Sequence, residues 1–249
     1  MSPLTLAKSF TWNETVWNPS MIQTALWLDA ADASTVETVS GAVSKWSDKS
    51  GNARHATQGT PANRPTYALN TVSFDGVNDN LALTQSYGST SQDSLSFFAV
   101  ASSNGTSVVL GTADLTIFSH RTFVTQIRPA DGSTAASSAF TPTFANSNYH
   151  FQSIVISGAS IKSWDDGSAN ANLTAARSLW NFGASQYLAR GDGSAGSTVY
   201  QINIREIIIT TVAVSDSIRQ KLEGYLARKW GLTANLPAGH PYKTVGPTP

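Results

Sequence analysis

Short runs of apolar and β-branched residues, separated by Gly, Asn, Asp and Ser, recur along most of the chain. Such runs, bounded by turn-forming residues, are typical of β-strands. Runs at 149–156 and 160–164 predict a hairpin, and the turn after its second strand is Asp165-Asp166-Gly167. Further strands are predicted at 25–29, 43–48, 72–76, 81–83, 96–101, 108–111, 115–118, 122–127 and 200–211. A spacing of about ten residues between strands is typical of an antiparallel sandwich or barrel.

The period changes after the strand at 200–211. One apolar stripe recurs at helical spacing and consists of Ile218, Leu222, Leu226 and Trp230. Ser215 precedes the stripe as a helix N-cap, and Gly231 follows it at the position where helices commonly end. The sequence therefore predicts a single amphipathic helix near residues 215–230 at the end of an all-β chain.

Composition and charge exclude several classes of function. Charged residues make up 13% of the 249 residues, with 16 basic and 16 acidic side chains, so the chain has no basic surface for nucleic acid or anionic membrane. Without cysteine, disulfides and thiolate metal sites are excluded. No apolar run approaches the roughly 20 residues of a membrane helix. The N-terminus lacks the pattern of a signal peptide, which predicts synthesis in a host cytoplasm.

Several motifs resemble a known domain. They are LWLDAAD at 26–32, WSDKSGNARHA at 46–56, VSFDG at 72–76, RGDG at 190–193, EIII at 206–209 and EGYLARKWGL at 223–232. This pattern is similar to the laminin-G-like, concanavalin-A-like jelly roll of bacteriophage virion proteins and bacterial surface proteins. The resemblance implies two antiparallel sheets packed face to face, with the helix against an edge or end. It divides the chain into an N-terminal arm (1–21), a jelly-roll domain (22–243) and a short tail (244–249).

The carboxylates do not form the pattern of a glycoside hydrolase. Such enzymes on this fold carry two or three carboxylates on one strand, in an arrangement such as Glu-x-Asp-x-x-Glu. Here the last long strand carries Glu206 alone, which is interpreted as a salt-bridge residue at an edge or rim. Asp165 and Asp166 precede a glycine and are interpreted as turn residues. The chain is therefore predicted not to be an enzyme, and hydrolysis is the third-ranked alternative.

Metal sites are weakly indicated. The four histidines, His55, His120, His150 and His240, have no spacing typical of metal ligands. Aspartates in the loops of the first third of the chain supply the hard oxygen ligands that calcium prefers, and the calcium candidates are Asp29, Asp32, Asp75 and Asp79. They form no contiguous calcium-binding loop, so turn formation is the favoured interpretation and no cofactor is expected, with calcium left open.

Tryptophan supplies the candidate binding residues. Trp27, Trp46 and Trp230 fall in patterned segments and are predicted to be core residues. The remaining four, which are candidates for stacking on a sugar or burial at a protein contact, are Trp12, Trp17, Trp164 and Trp180. For each of them, plain packing within the domain is the favoured interpretation.

Two functions remain open on the sequence. The first is a non-enzymatic bacteriophage virion surface protein, either for capsid decoration (a cement protein) or as a small tail-associated binding protein. It would be oligomeric and would contact other virion proteins, with the arm as an anchor. The alternative is a carbohydrate-binding adhesion module that recognises host-surface glycans. An exposed concave row of aromatic residues would favour a sugar, and an apolar patch beside the arm would favour a protein partner.

Overall fold

The computed structural model describes residues 16–86, 88, 93–103, 107–112, 115–121, 124–129, 136–137, 148–170, 172–174, 186–191 and 198–249. The strands in chain order are β1 (Leu26–Asp29), β2 (Val36–Val39), β3 (Ala42–Trp46), β4 (Ala56–Thr57), β5 (Thr66–Ala68), β6 (Thr71–Asp75), β7 (Leu81–Leu83), β8 (Ser94–Ser102), β9 (Ser107–Thr112), β10 (Leu115–Arg121), β11 (Val124–Pro129), β12 (Ala136–Ser137), β13 (His150–Ser157), β14 (Ser160–Asp165), β15 (Ser168–Ala169), β16 (Leu173–Thr174), β17 (Gln186–Leu188), β18 (Arg190–Gly191), β19 (Thr198–Val199) and β20 (Gln201–Thr210). The α-helix α1 spans Asp216–Lys229 and follows β20. No helix in these described ranges is long and apolar enough to cross a membrane.

The strands form an antiparallel sandwich. In the first layer β20 pairs with β8, β8 with β13, and β13 with β14. The other edge of β20 pairs with β6 through its first half and with β1 through its second half. The second layer runs β3, β4, β7, β17, β9, β10 and β11. Strand β5 pairs with both β3 and β6 and so joins the layers. The predicted all-β jelly-roll sandwich with one C-terminal helix is confirmed.

Both faces of the first layer are covered. Because successive side chains of a strand point to opposite faces, Leu26 and Leu28 of β1 lie in the core between the sheets, while Trp27 faces the helix. On β8, Phe97 and Phe98 divide in the same way between the two cores. This double burial explains why β8 and β20 are almost continuously apolar in sequence rather than alternating.

The helix begins and ends where the sequence predicts. The Ser215 hydroxyl accepts a hydrogen bond from the backbone N–H of Ile218, and Gly231 has a φ of +71°, in the left-handed region that favours glycine. Leu222 and Leu226 are fully buried, with Ile218 and Trp230 packed against their cluster, so the predicted apolar stripe is confirmed.

The position of the helix differs from the expectation. The resemblance implied an edge or end of the sandwich, but α1 lies across the outer face of the first layer. Its cluster includes residues of four adjacent strands, namely Trp27 of β1, Ile208 of β20, Phe98 and Val100 of β8, and Phe151 of β13. These apolar side chains need a cover, and the stripe of the helix supplies it.

The end of the predicted N-terminal arm packs on this domain. The Trp17 side chain is 3% exposed and lies in the cluster beneath the helix. Its ring meets Tyr225 edge-to-face, with 6.5 Å between centroids. Residues 1–15 of the arm, with Trp12, lie outside the described residues.

The chain after the helix folds back onto it. His240 Nε2 lies 3.1 Å from Glu223 Oε2, and Lys243 Nζ donates a hydrogen bond to the carbonyl of Ala234. At Gly224 the helix touches Tyr242 so closely that an added Cβ would lie 2.4 Å from the Cβ of Tyr242. Gly224, the first glycine of the motif EGYLARKWGL, is therefore required by the C-terminal tail that packs against it.

We predict that Gly224→Ala destabilises the protein, although alanine normally stabilises a helix interior by about 1 kcal/mol relative to glycine. The clash with Tyr242 should outweigh that gain and lower the free energy of unfolding by about 1–3 kcal/mol. Urea unfolding measures this difference. The double variant Gly224→Ala/Tyr242→Gly, compared with Tyr242→Gly alone, should restore the stabilising sign, because only glycine removes the Cβ that the alanine meets. A Gly224→Ala protein that is more stable than wild type would show that the tail does not pack as described.

Candidate functional site

Glu206 lies in the middle of the first layer. It is directly opposite Asp29 of β1 in the strand register, and its side chain is 0% exposed. The interpretation of Glu206 as an edge or rim residue is therefore wrong. The central position of Glu206 was not predicted because β20 changes partner from β6 to β1 just before this residue. The change places Glu206 between β1 and β8.

Both oxygens of Glu206 are saturated. Oε1 accepts hydrogen bonds from Trp27 Nε1 and from the Tyr225 hydroxyl, each at 2.9 Å. Oε2 accepts from Trp230 Nε1 at 2.6 Å and forms an ion pair with Lys229 Nζ at 2.8 Å. Three of these four donors come from the helix segment, so the carboxylate fastens the helix to the sheet.

Two lysines neutralise the neighbouring carboxylates of Asp29 and Glu206. Lys229 Nζ also lies 2.6 Å from Asp29 Oδ1, and Lys49 Nζ lies 2.9 Å from Asp29 Oδ2. Burial raises the pKa of Glu206, and the charge of Lys229 opposes that rise. The pKa of Tyr225 is raised by burial and then by the negative charge of Glu206. With every oxygen bonded and both side chains buried, Asp29 and Glu206 form a structural clamp between the helix and the sheet.

The calcium candidates form two separate pairs. Asp29 and Asp32 share Lys49, whose ammonium lies 2.9 Å from an oxygen of each. Asp75 Oδ1 accepts hydrogen bonds from the backbone N–H groups of Val77, Asn78 and Asp79, which lower its pKa against the effect of burial. Within the described ranges no three His, Asp or Glu residues form a group that could hold a metal. The expectation that these aspartates form turns, with calcium binding left open, is untested.

The turn after β14 is tied to the C-terminal region. Asp166 and Gly167 have φ angles of +47° and +81°, which agrees with the predicted turn. Asp166 Oδ2 lies 2.6 Å from His150 Nδ1 and accepts a hydrogen bond from Asn235 Nδ2. The neighbouring Asp165 is 5% exposed, and burial raises its pKa to about 6.

We predict that Asp165 makes stability depend on pH. Its folded-state pKa of about 6 exceeds the ordinary 3.8, so the folded state binds the proton more tightly. The free energy of unfolding should therefore fall as pH rises from about 4 to about 6, by up to about 3 kcal/mol. Asp165→Asn should remove this decline, and the exposed Glu37→Gln should not. Urea unfolding at several pH values measures it; equal declines in wild type and Asp165→Asn would contradict the assignment.

A groove of about 380 Å³ lies beside the N-terminus of the helix. Its floor is the outer face of the β13–β14 hairpin, and its wall is the segment 213–216 that leads into α1. The floor residues are Val155, Ser157, Ser160, Lys162 and Trp164. Ser96 of β8 holds the wall, because its hydroxyl donates to the carbonyl of Val212 and accepts from the N–H of Val214.

Trp164 is held in the groove by a chain of buried charges. The Arg219 guanidinium carbon lies 4.0 Å from the centroid of the Trp164 ring. Arg219 Nη1 donates to both oxygens of Glu223, at 2.8 and 2.7 Å, and His240 contacts the same carboxylate. The ring is 8% exposed. The surrounding Ser157, Ser160, Lys162 and Asp216 supply hydroxyls and both signs of charge.

The four tryptophan candidates do not come together in one described site. Trp164 lines the groove, and Trp17 is buried under the helix. Trp12 and Trp180 lie outside the described residues. Of the tryptophans predicted to be core, Trp46 is 0% and Trp27 7% exposed, while Trp230 is half-buried.

Comparison with solved structures finds proteins of similar fold. Trypanosoma rangeli sialidase in complex with sialic acid is similar at a TM-score of 0.53 and 14% identity, over 82% of this chain and 33% of that one. A structure of botulinum neurotoxin type C, a toxin whose cell entry depends on interaction with two ganglioside molecules, is similar at a TM-score of 0.57 and 12% identity. The match covers 82% of this chain and 51% of the neurotoxin chain. The binding domain of botulinum neurotoxin DC in complex with rat synaptotagmin II is similar at a TM-score of 0.57 and 12% identity, over 82% of this chain and 52% of that one.

These similarities establish the sandwich fold. The chain spans about a third of the length of the sialidase and about half of the neurotoxin chains. No protein-family model and no curated protein sequence matches it.

Proposed function

We propose that this chain is a non-catalytic carbohydrate-recognition module that binds a saccharide in the Trp164 groove. The observation that carries the proposal is the composition of that groove. An aromatic side chain lies on its floor beside two serine hydroxyls, with Lys162 next to it and Asp216 on the wall. A volume of about 380 Å³ lies within the range of small-ligand sites.

The chemistry of the groove suits a hydroxyl-rich ligand. Sugar hydroxyls both donate and accept hydrogen bonds, so they can pair with serine hydroxyls, an ammonium and a carboxylate together. Lys162 is exposed and makes no ion pair within the part of the chain that the structure describes, so its donors are available. Trp164 and Val155 supply the apolar part of the lining, against which the apolar face of a sugar can pack.

The solved structures give independent support for the class of ligand. The similar sialidase is in complex with sialic acid, and cell entry of the similar botulinum neurotoxin type C depends on interaction with two ganglioside molecules. Both ligands are or contain carbohydrate. The buried state of the Asp29–Glu206 pair supports the non-catalytic part of the proposal, since no oxygen of that pair is open to a glycosidic bond.

Binding to an immobilised panel of neutral and acidic glycans, including ganglioside oligosaccharides, tests this proposal. We expect a subset of the panel to bind wild type. Lys162→Ala should weaken that binding, and Ser157→Trp, which fills the groove from an exposed position, should abolish it. Lys45→Ala on β3 is the matched control and should bind normally. Binding in EDTA is expected to persist; its loss would point to the calcium candidates. No binding to any glycan, or equal binding by Ser157→Trp, would overturn the proposal.

A second candidate is the virion surface role, as a capsid decoration or tail-associated protein on the outside of a bacteriophage. Its support is the motif resemblance together with the surface where the arm joins the domain. Val16 is 51% exposed and Met21 37%, on the turn that Asn18 organises. An apolar surface beside the arm suits a protein partner or a second copy. Sedimentation and co-purification with phage particles, using Val16→Ser/Met21→Ser against Val77→Ser as control, test this role.

A further inference from the structure

A second surface carries an arginine that lies between two aromatic rings and forms no salt bridge within the described residues. The guanidinium carbon of Arg205 lies 3.4 Å from the centroid of the Tyr149 ring and 5.3 Å from that of Trp230. All three side chains are half-buried. The contacts are cation–π contacts, in which a cation packs on the negative face of a ring.

The backbone is arranged to present this side chain. The pairing of β20 with β8 shifts between Ile204 and Glu206, so Arg205 is the extra residue of a β-bulge. Bulges re-aim a side chain and are frequent beside functional sites. Here the bulge lets Glu206 face the helix while Arg205 reaches Tyr149.

The partners of Arg205 are themselves fixed. Trp230 Nε1 donates to Glu206 Oε2 at 2.6 Å, and the Tyr149 hydroxyl lies 3.2 Å from Thr71 Oγ1. Arg205 Nε donates to the same Thr71 oxygen at 3.3 Å. A site whose groups are already held in place loses little conformational freedom on binding, which favours affinity.

The guanidinium retains unused donors. Within the described residues Arg205 forms no salt bridge, and Nε makes its only hydrogen bond, so the N–H groups of Nη1 and Nη2 have no protein acceptor there. The buried carboxylates of Asp29 and Glu206 are neutralised by lysines and not by Arg205. Lys229 pairs with both of them, and Lys49 pairs with Asp29. A planar guanidinium with two free terminal nitrogens matches the two oxygens of a carboxylate.

We propose that Tyr149, Arg205 and Trp230 form a second binding site, which takes the carboxylate of an acidic sugar. The Arg205 N–H groups bind the carboxylate, and the edges of the aromatic rings pack against the sugar ring. This site is separate from the Trp164 groove, and the proposal concerns binding without any reaction. It stands or falls independently of saccharide binding in the groove.

Titration with methyl β-D-glucuronoside, its methyl ester and methyl β-D-glucoside, followed by NMR, tests the site. The three probes share the sugar ring, and only the first carries a carboxylate. For wild type we expect the glucuronoside to bind at least about tenfold more tightly than the other two, the effect of a charge-assisted bidentate contact. Equal binding of all three, or no binding of the glucuronoside, would overturn the proposal without any variant.

Variants then locate the carboxylate. Arg205→Gln should weaken glucuronoside binding at least about tenfold, with Arg205→Lys between it and wild type because the charge remains but the planar fork is lost. Arg64→Gln and the groove variant Lys162→Ala should bind it as wild type does. Thermal melting establishes that each variant is folded. If Lys162→Ala rather than Arg205→Gln abolishes binding, the acid lies in the groove and the Arg205 site is excluded.

Discussion

Replacement of Glu206 by alanine should lower the free energy of unfolding by about 3–5 kcal/mol, the cost typical of removing one partner from a buried ion pair. The variant removes one of the two carboxylates that Lys229 pairs with in the described part of the chain, and it deprives the indole N–H groups of Trp27 and Trp230 of their acceptor. Buried donors without partners are costly. Urea unfolding monitored by tryptophan fluorescence measures the loss.

The surface pair Lys45–Glu37 provides the matched control. Its two atoms are 2.7 Å apart, but the Glu37 side chain is 58% exposed. Exposed ion pairs contribute about 0–1 kcal/mol, so Glu37→Ala should change stability little. Glu206→Gln keeps the shape and one oxygen acceptor and should fall between wild type and Glu206→Ala. If Glu206→Ala cost no more than Glu37→Ala, the clamp between helix and sheet would not exist.

Replacement of Leu226 by alanine should lower the free energy of unfolding by about 2–5 kcal/mol. The side chain is fully buried in the cluster that joins the helix to β1, β8, β13 and β20. The variant removes apolar contact from that cluster and leaves a cavity that the neighbouring rings fill only in part. In urea unfolding, this loss of stability should appear as a lower denaturation midpoint at an unchanged m-value.

Leu69→Ala is the control for this substitution. Leu69 is 91% exposed on the turn between β5 and β6, so the same chemical change should alter stability by no more than about 0.5 kcal/mol. A Leu226→Ala protein as stable as the Leu69→Ala protein would mean that the stripe faces solvent and that the helix is not packed on the sheet.

Local signals made most of the fold predictable. Ser215, the apolar stripe and Gly231 each act within a few residues of the helix, so the sequence carries the helix boundaries directly. The hairpin of β13 and β14 is likewise a local pairing, and the Asp166-Gly167 turn limits its second strand. Period-2 alternation was obscured on β8 and β20 because the helix covers the outer face of the sheet.

The sites depend on contacts that no local pattern reveals. The Trp27 indole that bonds Glu206 is 179 residues away in the chain, and Lys229 reaches Asp29 across 200 residues. An isolated glutamate on a strand therefore gave the wrong interpretation. The groove arises because Ser96 holds the 212–214 segment beside the β13–β14 hairpin, again at a separation above 100 residues. The sequence does not show where Trp17 packs, because its partner, Tyr225, lies in the last helix.

The most direct measurement of carbohydrate recognition uses the indole N–H signals of the seven tryptophans. Each gives its own resonance in a ¹⁵N NMR spectrum once single Trp→Phe variants assign it. A neutral glycan identified on the panel should shift the Trp164 signal in a saturable way, and it should leave the signal of Trp46, which is fully buried between the sheets, in place. A glycan that binds without moving Trp164, or the failure of every glycan to move any indole signal, would contradict recognition in this groove.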